Sequence, residues 1–238
     1  MSQHFNLSNT ELASGHGMPP MKTAQKTILF FFSYFALLPF GMAQDGSKVW
    51  ELKKTQNSIK VFSRIHKSGY EMTKIMVTLN HSLHALLAIN TDHKELKNWM
   101  DSAISSELVE LLSPTNYVVH MTWDIPAPFQ DRDSVARTVI TQNPDTKVVL
   151  LNYKTENNLV PTSIKYVRME QALGYWKYTP ISKTQTEVEY TSLTMPGGEL
   201  TPIWANLKAI EAPLNTITNM ISILDSGKYN NVHLDYLE

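Results

Sequence analysis

Polar and apolar positions follow two periods along this chain, and the switches between them divide it. From Glu71 to Leu79, the residues Thr73, Ile75, Val77 and Leu79 alternate with more polar neighbours, which is the period of a strand with one buried face. Ahead of it, Trp50 to Thr55 and Ile59 to Arg64 flank the polar turn Gln56-Asn57-Ser58 and read as two more strands. After Asn80 the period lengthens. Leu83, Leu86 and Leu87 fall at helical spacing, and Asp92 can cap a second short helix carrying Leu96, Trp99 and Met100.

The two-residue period returns from about Ser105 to Thr194. Tyr117, Val119, Met121 and Trp123 share one strand face, and His120 and Thr122 share the other. Val148 to Asn152, Ile164 to Thr179 and Thr186 to Thr194 give further strands, the second expected to bend near Leu173-Gly174. Breaks fall at Pro126 and Pro128, at Asn143-Pro144-Asp145, and at Pro180 to Lys183. Connections this short between consecutive strands predict an antiparallel meander.

The closing element is helical. Thr201 is the expected cap and Pro202 suits the first turn, where its missing N–H costs nothing. Ile203, Leu207, Ile210, Leu214, Ile217, Ile221 and Leu224 then draw one apolar stripe, with Lys208, Glu211, Asn215, Asn219 and Ser222 off it. Pro213 should kink this rod, and the polar tail beyond Asp225 is expected to be loosely held. The order of elements predicts an α+β helix-grip fold: a curved antiparallel β-sheet wrapped around a long C-terminal α-helix, with two short helices after the third strand. The apolar stripe then either lines a pocket or fills a solid core; periodicity alone does not separate the two.

The amino-terminal segment reads as an address. Lys22 and Lys26 precede the apolar run Ile28 to Phe40, and Gly41-Met42-Ala43 supplies small-residue cleavage context, so residues 21–43 are expected to be a cleaved export signal. The run falls roughly half a dozen residues short of a membrane span, and a retained anchor is the alternative. Residues 1–20, with Gly15, Gly17, Pro19 and Pro20, show no periodicity and are expected to be unstructured, Met21 being the expected initiator. Residues 44–238 then form one domain with its core at 50–224, placed outside the cytoplasmic membrane, periplasmic or extracellular.

Composition narrows the chemistry. Lys plus Arg number 21 against 22 Asp plus Glu, so no cationic surplus exists for nucleic acid, and loss of residues 1–43 changes this little. Cysteine is absent, which removes disulfides, thiolate nucleophiles and zinc-thiolate sites. Of the 8 histidines, His81, His84 and His93 cluster, but nothing nearby completes a familiar ligand set, so no metal is expected. No nucleophile elbow, P-loop or dinucleotide fingerprint appears, and no cofactor is expected.

One ordered series of motifs is more specific. Trp50 precedes the Ile59-Lys60-Val61 strand, Trp99 ends the second short helix, and Pro126-x-Pro128 leads into Gln130-Asp131-Arg132-Asp133. Val167-Arg168, Gly174-x-Trp176, Pro180, Pro196-Gly197-Gly198 and Pro202-x-Trp204-x-Asn206 follow in order. From Trp50 to about Leu224 the chain resembles a START domain, the steroidogenic-acute-regulatory-protein-related lipid-transfer family, in an exported bacterial-type form. There is little room before Trp50 for the leading helix some members have, so the resemblance is to a minimal grip. It implies a helix grip around a lipid cavity.

With a hollow implied, the candidate lining residues are Trp123 and Met121 on one strand and Trp176 and Tyr190 on two others. Trp204, Leu207, Ile210 and Leu214 join them from the last helix. As aromatic residues, Trp176, Trp204 and Tyr190 also suit a plain core. Arg168 either points inward, offering donors to a head group or hydroxyl, or pairs outside with Glu170, Glu187 or Glu189. Arg132 and Asp133 carry a family signature and also suit an ion pair or backbone bonds that pin the preceding turn. Gly197 and Gly198 are expected to supply positive φ where the last strand turns toward the helix.

The function expected is reversible binding, and transfer, of a lipid or other hydrophobic molecule by a monomer in transient contact with membranes. Residues 143–146 and the kinked helix are its expected gate. A cyclase, aromatase or hydrolase working in the same cavity is the alternative, with Arg168, Glu170 and Tyr190 as its available groups. A scaffold for another protein would instead show a filled core and an exposed apolar patch.

Overall fold

The computed structural model describes residues 48–238; the expected export signal and the stretch before it lie outside the described residues. Three strands open the fold, β1 (Glu51–Gln56), β2 (Ile59–Ile65) and β3 (Glu71–Leu79), followed by helices α1 (Leu83–Thr91) and α2 (Leu96–Trp99). Then come β4 (Ala103–Ser113), β5 (Asn116–Trp123), β6 (Arg132–Gln142), β7 (Val149–Thr155), the two-residue β8 (Val167–Arg168), β9 (Gln171–Ser182) and β10 (Gln185–Met195). Helices α3 (Pro202–Ala205) and α4 (Glu211–Asp225) close the chain.

All the long strands join one sheet in the order β1-β2-β3-β10-β9-β7-β6-β5-β4, each pair antiparallel, while β8 pairs in parallel with β6. The chain thus builds two meanders, β1 to β3 and β4 to β7, and β9-β10 bridges them. One face of this sheet meets α1, α2 and α4 in a single hydrophobic cluster that includes Ile75, Leu86, Trp99, Tyr117, Trp176, Ile217 and Met220. Residues of β3 and β5 that alternate toward this cluster are the ones period two had placed together.

Several expectations need correction. The strand anticipated from Ile164 to Thr179 is two elements, because Met169 and Glu170 interrupt it, and Gly174 lies inside an unbroken β9. The closing helix is not one rod. Residues 202–208 form a short α-helix and a 3-10 turn, and α4 begins only at Glu211. Pro213 therefore occupies the first turn of α4, where its absent N–H would have had no partner, and no mid-helix kink is needed. Thr201 precedes Pro202 with extended backbone but makes no side-chain cap bond. Asp92 terminates α1 instead of starting α2.

The tail beyond α4 is an ordered strap. Tyr229 and Leu237 are buried, the Tyr229 hydroxyl donates to Asp92 Oδ2 at 2.9 Å, and Leu234 N–H donates to His84 Nδ1 at 3.1 Å. Its last residue reaches the β6–β7 hairpin, where Glu238 N–H donates to Gln142 Oε1 at 2.9 Å. Composition made this segment look loose because its anchors are single, widely spaced side chains.

Candidate functional site

The strand register aligns two neighbouring ladders across the helix-facing side of the sheet. The first runs Val61, Ile75, Tyr190, Trp176, Leu151, Ile140 and is apolar or aromatic throughout. The second, two residues further along each strand, runs Ser63, Thr73, Ser192, Gly174, Tyr153, Thr138, Tyr117. Six of its seven positions carry a hydroxyl and the seventh is glycine. The concave face therefore changes chemistry within one strand repeat.

Packing follows the same division. Leu214, Ile217, Met220 and Leu224 of α4 are buried in the cluster that holds the apolar ladder. Trp176 stacks on Tyr190 with ring centroids 4.0 Å apart, and Trp99 meets Trp176 edge-on at 5.8 Å. On the hydroxyl ladder, by contrast, Ser192, Gly174 and Tyr153 are only half-buried, and so are Ala172, Thr155 and Ala136 on the same face beyond it. Burial nevertheless pushes the Tyr153 phenol well above its ordinary pKa. Tyr153 is thus closely surrounded by protein and still keeps part of its surface accessible.

Most hydroxyls of the ladder have partners. Thr73 Oγ1 donates to Ala209 O at 2.6 Å, Tyr117 to Asn90 O at 3.4 Å, Tyr153 to Thr191 O at 3.3 Å, and Ser63 to the Glu71 carboxylate. Tyr153, Tyr190 and Ser192 also lie close enough to interact with one another. Gly174 makes this possible. A Cβ there would stand 2.6 Å from the Tyr153 hydroxyl oxygen and 2.0 Å from Thr191 O.

Two segments meet at the far end of the face. Phe129, in the β5–β6 connection, packs against Trp204 of α3 with centroids 5.9 Å apart. Asn206 ties α3 down to the β2–β3 turn, donating to Gly69 O at 3.1 Å and accepting from Glu71 N at 2.8 Å. Arg132 holds both sides: its guanidinium donates to Gln130 O in the connection, and to Pro196 O at 3.4 Å and Gly197 O at 3.0 Å before α3. Gly197 and Gly198 take positive φ there, +69° and +59°. Outside this junction Ile203, Trp204 and Leu207 stand 78%, 53% and 69% exposed.

The sequence candidates separate on this geometry. Tyr190, Trp176 and Met121 lie buried on the concave side, Trp123 points there half-buried with its indole N–H donating to Ser134 Oγ at 3.1 Å, and Leu214 and Ile210 approach from the helix. Trp204 and Leu207 do not line the interior, because the break before α4 turns α3 outward. Arg168 belongs to the other face. It grips Asp133, with Nε to Oδ1 at 2.9 Å and Nη2 to Oδ2 at 2.7 Å, and His120 Nε2 lies 2.9 Å from Oδ2. None of the three nearby glutamates is its partner. Burial alone would raise the Asp133 carboxyl, but the bonds from Arg168 and His120 hold it below the ordinary value. Residues 143–146 lie beside the strap and Glu238, away from the Phe129–Trp204 junction.

His81, His84 and His93 go to separate partners: Asp225, the Leu234 N–H and the Tyr117 ring. Among the described residues no group of three or more His, Cys, Asp or Glu could hold a metal ion. Ser63, Ser192, Tyr153, Thr138 and Phe129 escaped sequence reasoning, while Thr73 was placed only on a buried strand face and Gly174 only at an expected bend and in a motif. Only Ser192 had a usable signal, as the next inward position after Val188 and Tyr190.

Comparison with known proteins places this geometry. A family model described as START domain matches residues 39–210. An uncharacterized protein of Pseudomonas aeruginosa is 27% identical over 186 residues, spanning 77% of this chain and 91% of that one. The crystal structure of a STAR-related lipid transfer protein fragment from Xanthomonas axonopodis superposes with a TM-score of 0.69 at 23% identity, covering 74% of this chain and 98% of that one. Human StAR-related lipid transfer protein 5 is similar in fold, with a TM-score of 0.64 at 14% identity over 75% of this chain and 87% of its own.

Proposed function

Because the chain belongs to the START domain family, we propose that it binds a lipid or similar hydrophobic molecule between its concave sheet and α4, and passes it to and from membranes. The observation that carries this reading is the half-buried wall of Ser192, Gly174, Tyr153, Ala172, Thr155 and Ala136, which α4 does not seal although it seals the adjoining apolar ladder. Trp123 and Ile210, both half-buried, complete the surface a guest would touch. Each CH2 transferred from water to such a wall contributes about 0.8 kcal/mol, so a modest guest suffices for useful affinity. The lips are the β5–β6 connection and α3, joined by Phe129 and Trp204; Ile203, Trp204 and Leu207 present apolar surface to a bilayer there.

The apolar run Ile28 to Phe40 and its small-residue flank support action outside the cytoplasmic membrane. Simple binding is favoured over catalysis. Arg168 is committed to Asp133 on the opposite face, Glu170 is exposed, and burial raises the Tyr190 phenol, which keeps it protonated and unavailable to accept a proton. Organic extraction of protein purified from its native host, followed by mass spectrometry, tests the proposal. A reproducible lipid at near-stoichiometric amount is expected; an empty protein that also takes up no lipid from vesicles would overturn it.

A further inference from the structure

The two edges of the sheet are built differently. β1 is six residues long, carries Lys53 and Lys54, and bulges between Leu52 and Lys54, three devices that keep an edge from associating with another chain. β4, which ends the sheet among the described residues, is 11 residues long and has neither lysine nor proline. It bulges three times against β5, and the residue left unpaired at each bulge is aliphatic: Ile104, Val109 and Leu112. Bulges re-aim side chains, and these three are aimed at solvent. With Leu108 and Leu111 they make a strip of five aliphatic residues, each between 39% and 60% exposed.

We propose that this strip is the contact surface for a second copy of the chain, giving a dimer in place of the monomer expected from the sequence. A two-fold axis normal to the sheet at Leu108 and Val109 lays two such strips antiparallel. It brings Leu108 and Val109 of one protomer against the same pair in the other, and it sets Ile104 beside the partner's Leu112. Self-matching of this kind is what a two-fold contact requires. The area agrees as well. Five half-exposed aliphatic side chains supply roughly 450 Å2 per protomer, so two strips with their flanking backbone reach about the 1,000 Å2 that a specific interface needs. Because the bulges interrupt the outer row of N–H and C=O groups, side chains make this contact and the strand ladder does not continue through it.

A bilayer fits the strip poorly. β4 runs from Ala103, opposite Trp123 at the lip end, to Ser113, beside the turn where Thr115 O accepts from the Ile140 N–H. It thus extends roughly 30 Å along the flank, and a membrane touching Ile203, Trp204 and Leu207 meets only its first residues. Its charged residues are Glu107 and Glu110, the second balanced by Arg137 at 2.7 Å, so nothing on β4 attracts anionic lipid. In the dimer Glu107 comes near the partner's Glu110 on the convex side, a repulsion that added salt screens.

Sedimentation velocity of the purified protein over a range of concentrations tests this, at low salt and at about 0.5 M. A monomer–dimer equilibrium is expected, no weaker in high salt than in low. Val109→Lys and Leu112→Lys, at exposed positions where stability changes little, should each weaken it about tenfold or more. Leu52→Lys, comparably exposed on β1, should leave it unchanged. The chain has no cysteine, so Val109→Cys gives one thiol per protomer, which a short bismaleimide should link into a dimer, while Leu52→Cys stays unlinked. A protein that is monomeric at every concentration overturns the proposal. Association that Val109→Lys and Leu112→Lys both leave intact overturns it too. Vesicle binding lost in those variants, without self-association of the unaltered chain, would overturn it in favour of a membrane contact.

Discussion

Arg168 closes a two-point grip on Asp133 from β8, the short strand that runs parallel to the one carrying Asp133. The same guanidinium donates to Asn157 O at 2.9 Å and Val160 O at 3.0 Å, so one side chain fastens the whole excursion between β7 and β9 to the outer face of β6. Both partners are almost wholly buried, which makes the pair costly to break.

Removing the carboxylate should therefore leave Arg168 as an uncompensated charge. Asp133→Ala is expected to lower stability by about 3 kcal/mol or more, read as a shift of the denaturation midpoint. Because the folded carboxyl titrates below its ordinary value, this contribution is present above the unfolded pKa, near 4, and is lost as pH falls through the folded one. Asp133→Ala should thus cost much less at pH 2.5 than at pH 7, and an equal cost at both would refute the account. Lipid binding by the folded fraction should survive, since the pair lies on the face opposite the hollow.

Gly174 makes a second prediction from sterics alone. Gly174→Ala places a methyl 2.0 Å from Thr191 O and 2.6 Å from the Tyr153 hydroxyl oxygen, so backbone must move and not merely a side chain. Overpacking of this kind costs about 1–3 kcal/mol. Lipid uptake should fall as well, because Tyr153 is pushed into the space the guest would occupy. Unchanged melting and uptake would show that the ladder tolerates the extra atom.

The fold was readable in the sequence wherever burial had a fixed period. Ile75 and Val77 on β3, and Leu214, Ile217 and Leu224 on α4, announced their faces because apolar residues recur at strand or helix spacing. The hydroxyl ladder was not readable. Ser63, Thr138 and Ser192 are separated by more than fifty positions each, and each alone looks like an ordinary polar strand residue; only the register brings them into line. Arg168 was similarly opaque, since its partner lies 35 residues away while three glutamates are nearer candidates by charge alone. The break before α4 escaped because an apolar stripe continues through residues 203–210 even though the backbone does not. There the stripe is exposed surface at the lips, not core.

That exposed surface predicts a kinetic effect. Trp204→Ala removes the ring that meets Phe129 and part of the apolar area α3 offers a membrane. Stability should change by no more than about 0.5 kcal/mol, as for an exposed side chain. Transfer of lipid between vesicles should slow severalfold, while equilibrium affinity stays within about twofold of the original. A transfer rate unchanged by Trp204→Ala and by Leu207→Ala would place the route elsewhere.

The strap gives the protein a pH dependence of defined sign. His84 accepts the Leu234 N–H through Nδ1 and lies 4.7 Å, centroid to centroid, from His233, so it holds the strap only while neutral. Burial, and to a smaller extent the neighbouring His233, lower its pKa from the ordinary 6.5. Burial lowers His93 in the same direction. The unfolded chain then binds more protons than the folded one below about pH 6.5, so stability falls as pH drops through that window and is regained above it. Melting temperature should decline between pH 7 and pH 5, with amide exchange in residues 229–238 rising first. His84→Gln keeps an acceptor but cannot charge, and it should flatten the decline. A decline as steep in His84→Gln as in the unaltered chain would mean that other groups govern it.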